Sequence, residues 1–256
     1  MKKFALFCLL FLAAMATVRA AQGRETLTLP ASGCSSMMID CGAGELKVQG
    51  KEGVERIEVS AVLHVQGISD ADLPEFKKEH VILKLEKIGS RAVLTANIEE
   101  KDFMDALFGM RDAHIDLDVS LPRGLGLVVD DGSGDMQIKD MASGLEIDDG
   151  SGDMTLERIA GGVKIDDGSG DMFLTGIQGD VDIEDGSGDI ELKDAGGDVA
   201  IEDGSGEINV YRAGGSVEID DGSGDIIIDG VEKDVTIDEA GSGGIEIHNV
   251  KGKVRK

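Results

Sequence analysis

The tripeptide Gly-Ser-Gly, with an acid in front of it, recurs at a fixed interval and leaves this chain few ways to fold. Its serine falls at Ser133, Ser151, Ser169, Ser187, Ser205 and Ser223, 18 residues apart each time, and again at Ser242 after a step of 19. The flanks repeat with it, as in "LEIDDGSGDMTL", "VKIDDGSGDMFL" and "VDIEDGSGDIEL". A period of this size marks a repeat architecture in which each copy is one unit that stacks on the next.

Each unit reads as two short strands and two corners. Before the motif, apolar and polar residues alternate (Val163, Lys164, Ile165), and after it they alternate again (Met172, Phe173, Leu174). Period two is the signature of a strand. The Asp-Gly-Ser-Gly step joins the two strands, and a second glycine-rich joint, such as Ala160-Gly161-Gly162, closes the unit. Glycine at this density destabilises a helix. A single unit holds too few apolar side chains to bury them alone, whereas stacked units form a continuous Val/Ile/Leu/Met column. The expected fold is all-β: a single-stranded parallel β-helix, or β-solenoid, of 18-residue coils. Like residues of neighbouring coils then lie about 4.8 Å apart. A run of short hairpins is the competing arrangement, but only coils stacked in register require a constant length.

The rest of the chain is read as the ends of this solenoid. Residues 1–20 have the form of a signal peptide: Lys2 and Lys3, then the apolar run Phe4–Ala16, then Val18-Arg19-Ala20. No later apolar stretch is long enough to span a membrane. Residues 21–126 hold N-terminal coils: two alternating strands in Leu46–Val65, a hairpin (Val81–Leu85 and Val93–Ile98) turning at Gly89-Ser90, and a short amphipathic insertion marked by Phe103, Leu107 and Met110. Residues 127–256 hold the regular repeats and a C-terminal cap with a basic tail (Lys251, Lys253, Arg255, Lys256). The expected location is outside the cytoplasm, in the periplasm or at the cell surface.

Charge narrows the partners. The net charge is −26, and loss of residues 1–20 removes three positive charges and no acid, giving about −29. Such a field repels nucleic acid and anionic membranes and favours cations or basic partners. There is no Trp, and Tyr211 is the one Tyr, so the aromatic faces on which sugars and single strands stack are scarce. Outside the leader two cysteines remain, Cys34 and Cys41. In an oxidising compartment an isolated pair of this kind points to a disulfide, with two reduced thiols as the alternative.

The chain resembles the DUF4097 family of bacterial exported β-strand-repeat proteins, often labelled adhesins. "GSGDI" and "GSGDM" after a V-x-I strand carry the resemblance, with "HIDLDVSLPRGLGLVVDDGSGD" (His114–Asp135), "CGAGELKVQGKEGVERIEVSA" (Cys41–Ala61) and "GSGGIEIHNVKGKV" (Gly241–Val254). It implies a right-handed parallel β-helix, an envelope location and no enzyme activity. This chain departs from the family pattern in its regularity and its acidity.

Stacking converts the repeated acids into columns. One is Asp131, Asp149, Asp167, Asp185, Asp203 and Asp221; its neighbour is Asp130, Asp148, Asp166, Glu184, Glu202 and Asp220; a third starts at Asp135. Carboxylates about 5 Å apart repel by roughly 1 kcal/mol even in water. Splaying into water, protonation or bound cations must relieve that. The first column is therefore the candidate cation ladder, with calcium the natural ion. Neither known calcium pattern fits: Met136 stands where the β-roll nonamer has its ligand Asp, and the acids lack EF-hand spacing. The glycine loop carries Asp where a phosphate loop needs Lys, and no G-x-S-x-G elbow occurs. His64, His80, His114 and His248 do not recur with the repeat and read as surface or strand residues. A glycosidase pair should be singular, whereas these acids are interchangeable. The sequence thus leads to a non-catalytic binding scaffold with no cofactor, a cation-dependent structural solenoid as its alternative, and a polysaccharide-active enzyme as a distant third.

Overall fold

The computed structural model describes residues 21–99 and 113–256. The proposed leader and the amphipathic insertion at Phe103, Leu107 and Met110 lie outside those residues. The N-terminal part contains β1 (Ala21–Pro30), β2 (Ser36–Ala43), β3 (Leu46–Lys51), β4 (Arg56–Val65), α1 (Leu73–His80), β5 (Val81–Ile88), β6 (Arg91–Ile98) and β7 (Ala113–Pro122). The repeats follow as pairs: β8 and β9 (Gly126–Ser133, Met136–Lys139), β10 and β11 (Leu145–Asp149, Met154–Ile159), β12 and β13 (Val163–Asp167, Met172–Ile177). Then come β14 and β15 (Val181–Asp185, Ile190–Ala195), β16 and β17 (Val199–Asp203, Ile208–Ala213), and β18 and β19 (Val217–Asp221, Ile226–Val231). The series ends with β20 (Val235–Ala240), β21 (Ile245–Val250) and β22 (Val254–Arg255).

The strands form two 11-stranded sheets. Those that follow the Gly-Ser-Gly corner build sheet A, in the order β1-β4-β7-β3-β9-β11-β13-β15-β17-β19-β21. Those that precede it build sheet B, β22-β20-β18-β16-β14-β12-β10-β8-β2-β6-β5. Between coils the pairing is parallel and in register, Val163 with Val181 and Asp167 with Asp185. The chain is thus the expected β-solenoid. Alternation sends Val163, Ile165, Met172, Leu174 and Ile177 inward, all at most 3% exposed, and the inner faces of the two sheets share one apolar core. Where the repeat lengthens to 19, the register between β18 and β20 shifts after Ile219. The extra residue is absorbed as a bulge.

The corner demands its second glycine. Gly134, Gly152, Gly170, Gly188 and Gly206 have φ between 129° and 159°. A Cβ at any of them would stand 1.7–2.1 Å from a glycine carbonyl oxygen of the preceding coil. The opposite corner carries a column of left-handed residues. Asp140, Arg158, Asp194 and Arg212 have φ of 57–62°, and Gly176 and Gly230 fill the equivalent places. Each arginine donates two hydrogen bonds to the aspartate one coil back: Arg158 to Asp140 at 2.6 and 3.0 Å, Arg212 to Asp194 at 2.5 and 2.8 Å. Those forked pairs offset the steric cost of a left-handed side chain.

The segment before the repeats is not a simple run of coils. β2 and β3 make one coil that lies directly on β8 and β9, with Cys41 beside Asp131, Ala43 beside Ser133 and Leu46 beside Met136. "DCGAGEL" (Asp40–Leu46) is therefore a worn copy of "DDGSGDM". The chain then leaves the stack. β7 and β6 pair in parallel with β3 and β2, while β1, β4 and β5 add antiparallel strands that close this end. α1 packs beside β1 and β5 through the half-buried Leu73 and Phe76.

The Cys34–Cys41 disulfide is corrected by this geometry: both cysteines are free thiols. Cys34 precedes β2 and Cys41 lies near its far end. The five extended residue steps from Ser36 to Cys41 alone span about 17 Å, whereas a disulfide requires Cα atoms within about 7 Å. Cys41 has a different role, as the first member of the inner acidic column.

Candidate binding groove along the acidic ladders

The pleat decides which acids meet water. In Val163–Asp167 the burial runs buried, exposed, buried, exposed, buried, so Asp166 faces out and Asp167 faces in. The same alternation recurs in β10, β14 and β18. The predicted cation ladder (Asp131, Asp149, Asp167, Asp185, Asp203, Asp221) is thus the inner column, each residue only 1–7% exposed. Asp130, Asp148, Asp166, Glu184, Glu202 and Asp220 form the outer column, all exposed. Cys41 heads the inner column and Ala240 follows its last acid.

One oxygen of each inner carboxylate is held by the corner. Oδ1 accepts the main-chain N–H of the serine two residues on: Ser151 to Asp149 and Ser169 to Asp167 at 3.2 Å, Ser187 to Asp185 and Ser205 to Asp203 at 3.0 Å, and Ser223 to Asp221 at 2.8 Å. Oδ2 of all six is buried without a hydrogen-bond partner. A desolvated carboxylate with one unsatisfied oxygen is costly in its charged form. Burial accordingly pushes Asp149 up to about 7, and the neighbouring Asp131 and Asp167 charges add to the shift. Asp185 rises to about 7 and Asp131 and Asp203 to about 6, and Asp167 and Asp221 rise for the same reason. Burial, with the Asp131 carboxyl beside it, also raises the Cys41 thiol above its ordinary value.

The third acidic column is an exposed ladder wired to the main chain. Asp153 Oδ1 accepts the N–H of Asp171 at 3.1 Å, Asp171 that of Asp189 at 3.0 Å, and Asp189 that of Glu207 at 2.8 Å. These acids fix the spacing of the coils, a role their regular recurrence fits better than chemistry does.

The inner and outer columns together line a groove of about 470 Å³ that runs across the coils, with Asp166, Asp167, Glu184, Asp185, Glu202, Asp203 and Asp220 on its walls. Lys164, 3.8 Å from Asp182 and 3.6 Å from Glu184, is the one cation on the outward positions of β10, β12, β14, β16 and β18. Sheet A is chemically mixed. Its outward positions include Thr155, the exposed Phe173, Asn209 and Tyr211, with Lys139 paired to Glu157 at 2.9 Å. A larger groove of about 830 Å³ lies along the opposite corner. Two of its three arginines, Arg158 and Arg212, are committed to Asp140 and Asp194, while Arg123 keeps a buried Nε without a hydrogen-bond partner. The acidic groove is the surface on which like charges stack over consecutive coils, with Lys164 as their one counter-charge among β10, β12, β14, β16 and β18.

The profile of the Toastrack DUF4097 family matches residues 99–255. Among solved structures, one from Parabacteroides distasonis named "Putative lipid binding protein" is 16% identical, with 91% of this chain and 96% of that one covered at a TM-score of 0.55. A "putative adhesin" from the same organism is 13% identical at a TM-score of 0.45 over the same shares. Another from Bacteroides fragilis is 14% identical at 0.43, again over 91% and 96%. At these identities the first shows a common fold and nothing about a ligand. No curated protein matches the chain. No helix among the described residues is long and apolar enough to cross a membrane.

Proposed function

The chain belongs to the Toastrack DUF4097 family, and from that premise we propose that it is an exported, non-catalytic scaffold that binds a cationic partner at the cell envelope through the acidic face of sheet B. One observation carries this reading. The outward positions of β10, β12, β14, β16 and β18 in sheet B stack acid on acid over consecutive coils, with Lys164 the one cation among them, while on sheet A the stacked coils pair Lys139 with Glu157 and Lys193 with Glu191. A fold that only needed solubility would gain nothing from concentrating its charge on one face, and like charges in columns cost stability. The ladder suits a partner with basic groups spaced along an extended surface. The candidate partner is an envelope or surface protein with a basic patch. Pull-down from an envelope fraction at low and at high salt tests this. A partner retained at low salt and released at high salt is expected, and recovery of no partner at either would overturn it.

The unpartnered Oδ2 atoms favour a second role for the same groove. Calcium takes six to eight oxygens in flexible geometry, and carboxylates of adjacent coils offer them without any one copy of the motif being a complete site. At pH 8, calcium should raise the melting temperature and a chelator should return it to its starting value. An unchanged melting temperature would remove this reading and leave the first intact.

A further inference from the structure

The outer face of sheet A carries one cluster of different chemistry. β4 and β7 run antiparallel, and their register sets His64 directly opposite His114. Opposed residues in such a pair share a face and lie close, and here the imidazoles stack with centroids 4.6 Å apart and planes 14° from parallel. Asp116 follows His114 by two residues on β7, so the pleat returns it to that face. Its Oδ2 is 2.9 Å from His64 Nε2, and its Oδ1 is 3.8 Å from His114 Nε2. One ligand atom from each of the three lies within 4.8 Å of the others.

We propose that His64, His114 and Asp116 form a binding site for a divalent ion of the zinc class. Two imidazole nitrogens and a carboxylate oxygen are the donors such an ion takes. At bond lengths of about 2.0–2.2 Å, two donors on one tetrahedral ion sit about 3.3 Å apart. His64 Nε2 already lies 2.9 Å from Asp116 Oδ2, and one donor atom of each of the three residues lies within 4.8 Å of the others, so side-chain rotation brings them onto one ion. A hydrogen-bonded His64–Asp116 pair needs no second imidazole. The stacked His114 ring, also turned toward Asp116, is the feature that a metal centre explains.

The surroundings supply the outer support such sites use. Gln22, paired with His64 across β1 and β4, places its amide Nε2 3.0 Å from His64 Nδ1. With the amide oxygen turned to accept Nδ1–H, Nε2 is free to ligate the ion. The Glu45 main-chain N–H donates to Asp116 Oδ1 at 3.1 Å and steadies the carboxylate. The side chains of His64, His114 and Asp116 are 20%, 39% and 35% exposed, so an ion reaches them from solvent. Three protein donors leave a fourth position outward, for water or a donor brought by a partner. The imidazoles separate this site from the acidic groove, where only oxygen donors stand.

Calorimetric titration of the full chain with zinc, in excess calcium to occupy carboxylate-only sites, tests the proposal. One tight zinc per chain is expected, lost in His64→Ala and in His114→Ala and weakened about tenfold in Gln22→Ala. Circular dichroism of the metal-free variants should match the parent. Zinc X-ray absorption of the parent gives a reading that does not depend on how the variants fold, and two imidazole nitrogens in the first shell are expected. Equal tight zinc uptake by parent and both histidine variants, or a first shell of oxygens alone, would overturn it.

Discussion

Asp149 and Asp166 differ by one pleat position, and that decides their chemistry. Both stand in the acidic pair before a Gly-Ser-Gly corner, yet one is 2% exposed and the other faces water. For the inner column the pH dependence has a definite sign. An unfolded aspartate releases its proton near pH 3.9, whereas Asp149 and Asp185 hold theirs up to about 7. Between those values the folded chain binds more protons than the unfolded one. The contribution of the column is therefore fully present below about pH 4 and lost as pH rises through 6 to 7. Melting temperature should rise as pH falls from 8 to 5, by about 2–4 °C if the column contributes roughly 1 kcal/mol in a domain of this size. The triple variant Asp167→Asn, Asp185→Asn, Asp203→Asn keeps the acceptor for the serine N–H and should flatten that slope. An unchanged slope would mean that the inner column is not its source. The columns themselves were legible in the sequence from the repeat spacing, but their sides were not. Two adjacent acids give no sign of which one the pleat turns inward, and the orphaned oxygens appear only once the corner is built.

At the scale of the element, the corner sets the tolerance of the chain. Gly170 has φ 147°, and a Cβ there would lie 1.9 Å from the Gly152 carbonyl oxygen, whereas Gly124 has open space around it. Gly170→Ala should cost at least about 2 kcal/mol and Gly124→Ala less than about 0.5 kcal/mol, as urea unfolding would show; equal losses would contradict the packed corner. The coils were readable because the period forces both the strand and the corner. The coil of β2 and β3 was harder to see: the excursion through β4, α1, β5, β6 and β7 separates it from the stack, and Cys41 and Ala43 replace the acid and the serine. The match of "DCGAGEL" to "DDGSGDM" was the available signal. α1 escaped notice because none of its residues is buried and its apolar pattern is weak; Pro74 near its start and Lys77, Lys78 and His80 in its last turn were the remaining cues. His64 and His114 looked unrelated because their pairing depends on the antiparallel register of β4 and β7.

Across the whole molecule, two sheets of one solenoid present unlike faces, an acidic one on sheet B and a mixed one on sheet A. The parallel register keeps each column straight, so a charge choice repeated in sequence becomes a continuous stripe in space. Long-range attraction from that stripe speeds encounter with a basic partner and weakens as salt screens it. Net charge alone would give a similar salt response from any face, so position must be separated from amount. The decisive measurement compares two variants that lose the same charge. One carries Asp148→Asn, Asp166→Asn, Glu184→Gln and Glu202→Gln on sheet B, and the other Glu157→Gln, Glu191→Gln, Asp229→Asn and Glu246→Gln on sheet A. Binding to the partner recovered from the envelope fraction should collapse in the first and persist in the second; equal loss in both, or no loss in the first, would contradict an acidic binding face on sheet B.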